Sequence, residues 1–426
     1  MNIMGASKTI SGLGIHYYPD DRHFRSSDLD LWIPELQSMD LRWLILSGSL
    51  SRAVPEGFLK RLVDSGIEPV LLLDREPIRP PASVVHSIFR SYHRAGVRFI
   101  APFPSPNLES SWASADIAAC SPVDAFLSVF PPVAEDILSE EMLPVFPMLD
   151  PEGNYWSLAF LERFLSGLDR CGKGGLARNL VLAVDFSARN RPLNWGAGGP
   201  SQWPEARPYL TPPGSQDHCG FQGYLWVQDV VRRTLGSGLP MIGLQAGATV
   251  GDISDPEYPA VDPLHHAEIN LQVAQIASGS LLSAPVLSLC FRLLAAEEGT
   301  IEASMAWFRN DGTTLPIVDS LKRRSLAKNL HPSSAMGKTL RHYLLLPQGN
   351  GSLSEKDWES LRHYLLAFQP VCGFSVEEAC QAEKVTIFQH PPHRHRAAAE
   401  RQRMPCGIPC RRPHVRGDRH GFPDGT

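Results

Sequence analysis

The sequence has no apolar run approaching the ~18 residues needed to span a bilayer, so we expect no membrane-spanning helix. Its first residues, MNIMGASKTISGLGIHYY, lack the apolar core and cleavage-site pattern of a secretory signal peptide. The eight cysteines are scattered along 426 residues, unlike the dense disulfide frameworks of short secreted chains. These absences predict a cytoplasmic protein that does not enter membranes.

The sequence also lacks a large excess of charge of one sign. Its formal net charge is −5, with 43% hydrophobic and 20% charged residues, as in an ordinary globular protein. A nucleic-acid partner is therefore not expected. Only residues 391–426 depart from this composition, with eight arginines against three acidic residues and no hydrophobic period.

Motifs for cofactors and metals are lacking as well. No Gly-rich phosphate loop follows the first apolar run, and no G-x-S-x-G nucleophile elbow is present. His393, His395, Cys406 and Cys410 do not have the spacing of a structural zinc site. We therefore expect neither a cofactor nor a metal ion.

What the sequence does contain is an alternation of short apolar runs with amphipathic segments. Runs buried on both faces are typical of parallel strands in βα units. Eight such units within residues 8–330 predict an α/β protein, a (β/α)8 TIM barrel, over an open doubly wound sheet. The predicted strands are 13–18, 42–47, 69–74, 98–103, 143–148, 180–186, 240–245 and 286–291. The predicted helices are 29–39, 56–65, 82–95, 123–139, 157–170, 222–236 and 264–278.

The pattern changes after the barrel. Residues 331–390 predict a small, truncated α/β appendage, with strands at 342–347 and 384–388 around a helix at 354–367. The basic tail, 391–426, is predicted to be disordered because it has no apolar residues at helical or strand spacing. Its abrupt composition raises the hypothesis of a reading-frame change that cut the appendage short.

Active sites of such barrels lie at the carboxyl ends of the strands, so polar residues there are the candidates for chemistry. They are His16, Tyr18, Asp74, Ser105, Asn107, Asp150, Asp185, Gln245 and Arg292.

Three strand-end segments carry a resemblance to a known family. These are GLGIHYYP, then APFPSPNLESSW at 101–112, and LPMIGLQAG at 239–247 followed by DISDPEYPAVDPLHHAEINLQ. Across about residues 10–325 they resemble the cellulase-like, clan A glycoside hydrolases. The resemblance implies an acid/base glutamate after the fourth strand and a nucleophilic glutamate on the seventh. In this chain those positions are Ser105 and Gln245.

The two substitutions count against the activity of the family. Ser105 has no proton to give near neutral pH, and loss of a general acid typically costs about 10²–10⁴-fold in rate. Gln245 is neutral, so it can neither form a glycosyl ester nor stabilise an oxocarbenium ion by charge. The sequence therefore predicts a catalytically impaired protein with a carbohydrate-binding cleft and an oligosaccharide or glycoside as its ligand.

Aromatic and polar side chains near the strand ends are the candidates for sugar binding, since aromatic rings stack on sugar faces and amide or imidazole groups bind hydroxyls. For the tryptophans the alternative is that they plug the barrel top, and for His16 that it is structural. The candidates are His16, Asn107, Trp112, Trp156, Trp195 and Trp203.

Two other functions stay open. Asp150 and Asp185 could act as relocated catalytic carboxylates, as an inverting pair about 6.5–9.5 Å apart. Otherwise Asp150 caps the following segment and Asp185 pairs with Arg189 or Arg191. In the third interpretation the barrel is a scaffold for a protein partner. A groove lined by tryptophans and polar groups would favour sugar, whereas a filled or flat top would favour the scaffold.

Overall fold

The computed structural model describes two compact units, residues 1–337 and 338–426. The residues described are 12–74, 81–113, 120–278, 282, 285–330, 340–346, 355–368, 370–375, 378–379 and 382–388. The tail at 391–426, with its predicted disorder and the hypothesis of a frame change, lies outside them. The predicted domain boundaries at 330 and 390 stay predictions.

The first unit is a closed barrel of eight parallel strands in sequence order, in which β1 also pairs with β8. This closure confirms the predicted (β/α)8 barrel and excludes the open doubly wound sheet. The strands are β1 (Gly12–His16), β2 (Leu41–Ser49), β3 (Glu68–Asp74), β4 (Phe99–Pro102), β5 (Leu143–Phe146), β6 (Val181–Ser187), β7 (Met241–Gly247) and β8 (Val286–Phe291).

The strands are apolar on both faces because each face meets a different part of the core. In β2, Trp43 and Ile45 point into the barrel, whereas Leu44 and Leu46 pack in the layer between barrel and helices. Successive residues of a strand point to opposite sides, so a continuous apolar run fills both layers. The barrel interior is thus packed with side chains up to its carboxyl end.

Helices surround the barrel and bury one stripe each. In α5, Phe160, Phe164 and Leu168 recur at helical spacing and are fully buried. Among the described helices of this unit, none is long and apolar enough to cross a bilayer. The helices are α1 (Ser26–Ser38), α2 (Glu56–Asp64), α3 (Ala82–Ala95), α4 (Pro122–Ser139), α5 (Ser157–Arg170), α6 (Gly174–Ala177), α7 (Gly199–Gln202), α8 (Tyr224–Leu235), α9 (Pro263–Ser278) and α10 (Pro316–Leu330).

The second unit contains a three-stranded parallel sheet in the order β10–β9–β11. Its elements are β9 (Leu340–Leu345), α11 (Glu355–Phe368), β10 (Val371–Gly373) and β11 (Ala382–Ile387). The predicted α/β appendage is confirmed as a fold. The sequence prediction missed β10, which is only three residues long.

Candidate functional site

A cavity of about 360 Å³ opens at the carboxyl end of the barrel. Its floor is the top layer of the barrel interior, including Ile45, Leu72, Ala101 and Leu244. The position is the one at which barrels of this type carry their active sites. The polar and aromatic side chains that line the cavity are His16, Tyr18, Ser47, Asp74, Ser105, Gln245 and Arg292.

His16 is fixed by a hydrogen bond across the barrel mouth. Its Nε2 donates to the carbonyl oxygen of Leu244 at 2.6 Å. Burial lowers the pKa of His16 to about 4, an effect that the hydrogen bond to Leu244 opposes and to which the nearby positive charge of Arg292 contributes. The ring is therefore neutral at pH 7, so His16 cannot serve as a proton donor there.

Ser105 reaches the cavity through an unusual turn at the end of β4. Phe103 and Ser105 both have left-handed backbones, with φ of 62° and 47°. Such a conformation costs a non-glycine residue about 1–2 kcal/mol, so the surrounding contacts must hold the turn. Ser111 Oγ donates to the Ser105 carbonyl at 2.8 Å, and Trp112 Nε1 donates to the Pro106 carbonyl at 2.8 Å.

Several polar side chains of the cavity have no partner among the residues that the structure describes. Among the described residues, none forms a hydrogen bond or ion pair with the side chains of Ser47, Asp74, Ser105, Gln245 or Arg292. Polar groups that converge on a cavity without internal partners are typical of a small-molecule site. Of these five, Ser47 was not among the sequence candidates. The sequence could have indicated Ser47, because it lies two residues after Ile45 and therefore on the face of β2 that points into the barrel.

The cavity contains one carboxylate and one permanent cation among its described lining residues. Asp74 ends β3 and is partly exposed; partial withdrawal of its carboxyl from water raises its pKa, and the negative charge of Asp21 adds to the effect. Arg292 follows β8 and is half-buried. A two-carboxylate mechanism needs a second acid, which this lining does not supply.

Asn107 lies beside the cavity but is used by the protein itself. Its Nδ2 donates to the carbonyls of Asp150 at 2.7 Å and Tyr155 at 3.0 Å, and its Oδ1 accepts from Asp150 N at 2.9 Å. Only 1% of the residue is exposed. The prediction that Asn107 binds sugar stays untested, and these contacts count against it.

Asp150 and Asp185 lie outside the described lining of the cavity. Asp150 Oδ1 accepts from Glu152 N at 2.8 Å, which is the capping role given as the alternative. Asp185 Oδ1 accepts from Ser187 N at 2.8 Å and lines a separate cavity of about 40 Å³, together with Ser157 and His218. Burial raises the pKa of Asp185 to about 6.

The expected ion pair of Asp185 is not the one that forms. Arg189 pairs instead with Glu152 at 2.7 Å, although its positive charge still opposes the rise in the pKa of Asp185. Arg191 pairs with Asp255 at 2.8 Å and with Asp217 at 3.2 Å. The long segment between β6 and β7 is thereby tied together by a half-buried charge network.

The four tryptophans proposed as a sugar platform also lie outside the described lining of the cavity. Trp195 is buried, donates from Nε1 to Asp217 Oδ1 at 2.9 Å, and lies 4.2 Å from the Arg191 guanidinium. Trp203 Nε1 donates to the Ala197 carbonyl at 2.9 Å, and Trp112 is buried in the β4 turn. Trp156 packs beside His218, with ring centres 6.3 Å apart. The structure therefore has an open cavity lined by polar side chains, but these four tryptophans do not form the aromatic groove expected beside it.

Within the described part of the chain, potential metal ligands meet at one place. Ligand atoms of Asp20, His23 and Glu297 lie within 4.8 Å of one another. His23 Nδ1 lies 2.9 Å from Asp20 Oδ1, and Arg22 pairs with Glu297 at 3.2 Å, so all three side chains already have partners within the protein. The absence of a metal or cofactor stays a prediction.

Comparisons with known proteins give a likeness of fold. No protein-family model and no curated protein matches the sequence. Among solved structures, a family 39 glycoside hydrolase from the gut symbiont Bacteroides cellulosilyticus WH2 is similar, with a TM-score of 0.50 and 12% identity. The match covers 75% of this chain and 65% of that one.

A second similar structure is a monomeric β-xylosidase from Caulobacter crescentus CB15, with a TM-score of 0.47 and 14% identity over 74% of this chain and 68% of that one. The chain spans less than two thirds of the length of the family 39 protein, since the match covers 65% of it. The chain shares the barrel fold of the first of these proteins, as its sequence predicted. At this identity the likeness concerns fold alone.

Proposed function

We propose that this chain is a glycoside-hydrolase-like protein that binds a carbohydrate in the cavity at the carboxyl end of its barrel and is catalytically impaired. The proposal rests on the polar side chains around this cavity that have no partner among the described residues, namely Ser47, Asp74, Ser105, Gln245 and Arg292. The barrel that carries them is similar in fold to a glycoside hydrolase. Hydroxyl-rich ligands need such donors and acceptors on several sides.

Catalytic impairment follows from the chemistry of the lining. Retaining hydrolysis needs two carboxyl groups about 5 Å apart, one to protonate the leaving oxygen and one to attack the anomeric carbon. Ser105 and Gln245 occupy the family's two positions, and Asp74 is the one carboxylate among the described lining residues. His16 cannot replace the acid, because it is neutral at pH 7.

The hydrolysis of a panel of aryl β-glycosides tests this part of the proposal. We expect no turnover above buffer by the native chain, and detectable turnover by a Ser105→Glu/Gln245→Glu double variant. Each single variant is the matched control, since one carboxylate alone cannot complete the retaining mechanism. Turnover by the native chain would contradict the claim of impairment.

A second candidate is an active glycosidase that uses Asp150 and Asp185. One observation favours it: a pKa of about 6 suits Asp185 to the role of general acid. Against it, both carboxylates bind backbone amides of their own turns and neither belongs to the described lining of the cavity. If this candidate is right, Asp150→Asn or Asp185→Asn will abolish turnover in the native chain.

The scaffold interpretation receives less support, because the barrel top is neither filled nor flat. A cytoplasmic location is proposed as well, and the described cysteines at positions 171, 219, 290 and 372 form no disulfide, which fits a reducing compartment.

A further inference from the structure

We propose that the cavity recognises a carboxylate-bearing sugar, a hexuronic acid, through Arg292. This inference rests on the proposed carbohydrate site and names its ligand class. It concerns either the free acid or a uronosyl residue at the end of a longer glycan, which share the same carboxylate and ring hydroxyls.

The first argument is the state of Arg292. Its side chain lines the cavity and is half-buried, yet no carboxylate among the described residues lies within the 4.0 Å of an ion pair. A guanidinium that is partly withdrawn from water and has no counter-charge loses some of its hydration without compensation. A ligand carboxylate would supply that counter-charge.

The second argument is the charge balance of the two walls. The wall formed by β1, β7 and β8 contributes neutral His16, neutral Gln245 and cationic Arg292. The wall formed by β2, β3 and β4 contributes Ser47, Asp74 and Ser105, with Asp74 at the exposed rim. An anionic group is therefore favoured against Arg292, whereas hydroxyl groups are favoured against Asp74.

The third argument is geometric. A guanidinium presents two parallel N–H donors that match both oxygens of a carboxylate, a pairing that a neutral sugar hydroxyl cannot reproduce. The remaining unpartnered groups, Ser47, Ser105 and Gln245, offer donors and acceptors for ring hydroxyls. With a volume of about 360 Å³, the cavity is at the small end of ligand sites, which suits one sugar ring better than a long chain segment.

Calorimetric titration with matched pairs of ligands tests the inference. The pairs are the methyl β-glycosides of glucuronic and galacturonic acid and those of glucose and galactose. We expect the native chain to bind at least one uronide about tenfold or more tightly than its neutral counterpart at low salt. Free glucuronic and galacturonic acids, titrated in parallel, distinguish the free acid from the glycosidically linked residue as the ligand.

Substitutions identify the group responsible. Arg292→Met keeps the length of the side chain without its charge and should remove the preference for uronides, whereas Arg292→Lys should retain part of it. Arg170→Met, which removes an exposed arginine at the end of α5, is the control and should leave the preference unchanged. Thermal unfolding of each variant establishes that it is folded.

The outcomes separate the inference from the proposed function. Equal binding of neutral and acidic glycosides, or a preference that survives Arg292→Met, would overturn the role of Arg292 and leave carbohydrate binding intact. Absence of binding to every one of these sugars would overturn the inference, but a neutral oligosaccharide that binds would still uphold the proposed function. Acetate, which has the carboxylate without the ring, should bind far more weakly than the uronides.

Discussion

At the scale of single residues, polar groups near the strand ends divide into those that face the cavity and those that hold the chain together. Gln245 and Arg292 belong to the first group, since they line the cavity without internal partners among the described residues. Asn107 belongs to the second, because its amide binds the backbone at Asp150 and Tyr155. Both kinds look alike in a sequence.

Replacing Asn107 by alanine tests that division. We expect Asn107→Ala to lower the free energy of unfolding by about 2–4 kcal/mol, because it leaves buried backbone groups at Asp150 and Tyr155 without partners. Urea denaturation measures the change. Asn194→Ala, at an exposed position, should stay within about 0.5 kcal/mol. A stable Asn107→Ala variant that loses sugar affinity would instead support a ligand-binding role.

A pH-dependent stability is expected from Asp185. Its folded pKa of about 6 lies above the ordinary value of 3.8, so the unfolded state loses its proton at lower pH than the folded state does. The stability contributed by the protonated carboxyl is complete below pH 3.8 and is lost as the pH rises through 6. We expect Asp185→Asn to be more stable than the native chain by up to about 3 kcal/mol at pH 8.

Denaturation of the native chain and the Asp185→Asn variant between about pH 4 and pH 8 checks this prediction. The difference in unfolding free energy should shrink toward zero at the acidic end of this range. The variant retains the hydrogen bond of the native carboxyl, because the oxygen of the new amide would still accept from Ser187 N. A difference independent of pH would show that Asp185 is ionised in the folded protein throughout the range.

At the scale of structural elements, the turns after the strands are held by buried asparagines. Asn270 of α9 accepts from Ala248 N at 3.0 Å and donates to the Ala248 carbonyl at 3.1 Å. Asn190 Oδ1 accepts from Asp255 N at 2.9 Å, and Asn190 Nδ2 donates to the Asp255 carbonyl at 2.7 Å. Together with Asn107, they fix the loops after β5 and β7. Each loop therefore has a defined position although it contains little regular structure.

The turn after β7 allows a sharp test, since Gly247 adjoins Asn270. Its φ is +77°, and an added Cβ would lie 1.8 Å from Asn270 Oδ1. We expect Gly247→Ala to cost about 3–5 kcal/mol in unfolding free energy, or to prevent folding, because it displaces the asparagine and strains the backbone. Calorimetric unfolding or, for an insoluble variant, the soluble yield measures the effect.

Gly251→Ala is the matched control. Gly251 has a similar φ of +86° but nothing within 4 Å of an added Cβ, so it isolates the backbone cost of about 1–2 kcal/mol. Equal effects of the two substitutions would mean that contact with Asn270 does not matter. In that case the turn after β7 would not depend on the hydrogen bonds of Asn270.

At the scale of the whole molecule, the fold could be predicted because burial on both faces requires the strands to be continuous apolar runs. All eight predicted barrel strands and all seven predicted helices overlap observed ones, whereas α10 was not predicted. The site could be predicted in part, since the strand-end rule identified His16, Ser105, Gln245 and Arg292. It could not place the tryptophans, because a loop core and an open cavity both favour aromatic residues.

The long connection after β6 illustrates that limit. Its tryptophans were predicted either to bind sugar or to plug the barrel top, and the structure packs Trp195 between Arg191 and Asp217. No local pattern indicates this arrangement, because Arg191 and Asp217 are distant in sequence and each also binds other groups. Contacts of this kind depend on the tertiary fold.

The central claim, that the barrel mouth binds a carbohydrate, is tested most directly by calorimetric titration of the purified chain with neutral and acidic oligosaccharides. We predict saturable binding at millimolar concentration or below, lost in Ser47→Trp, which fills the cavity, and retained in Lys60→Ala, which alters an exposed residue of α2. Absence of binding across the panel, or binding that survives a folded Ser47→Trp variant, would contradict it.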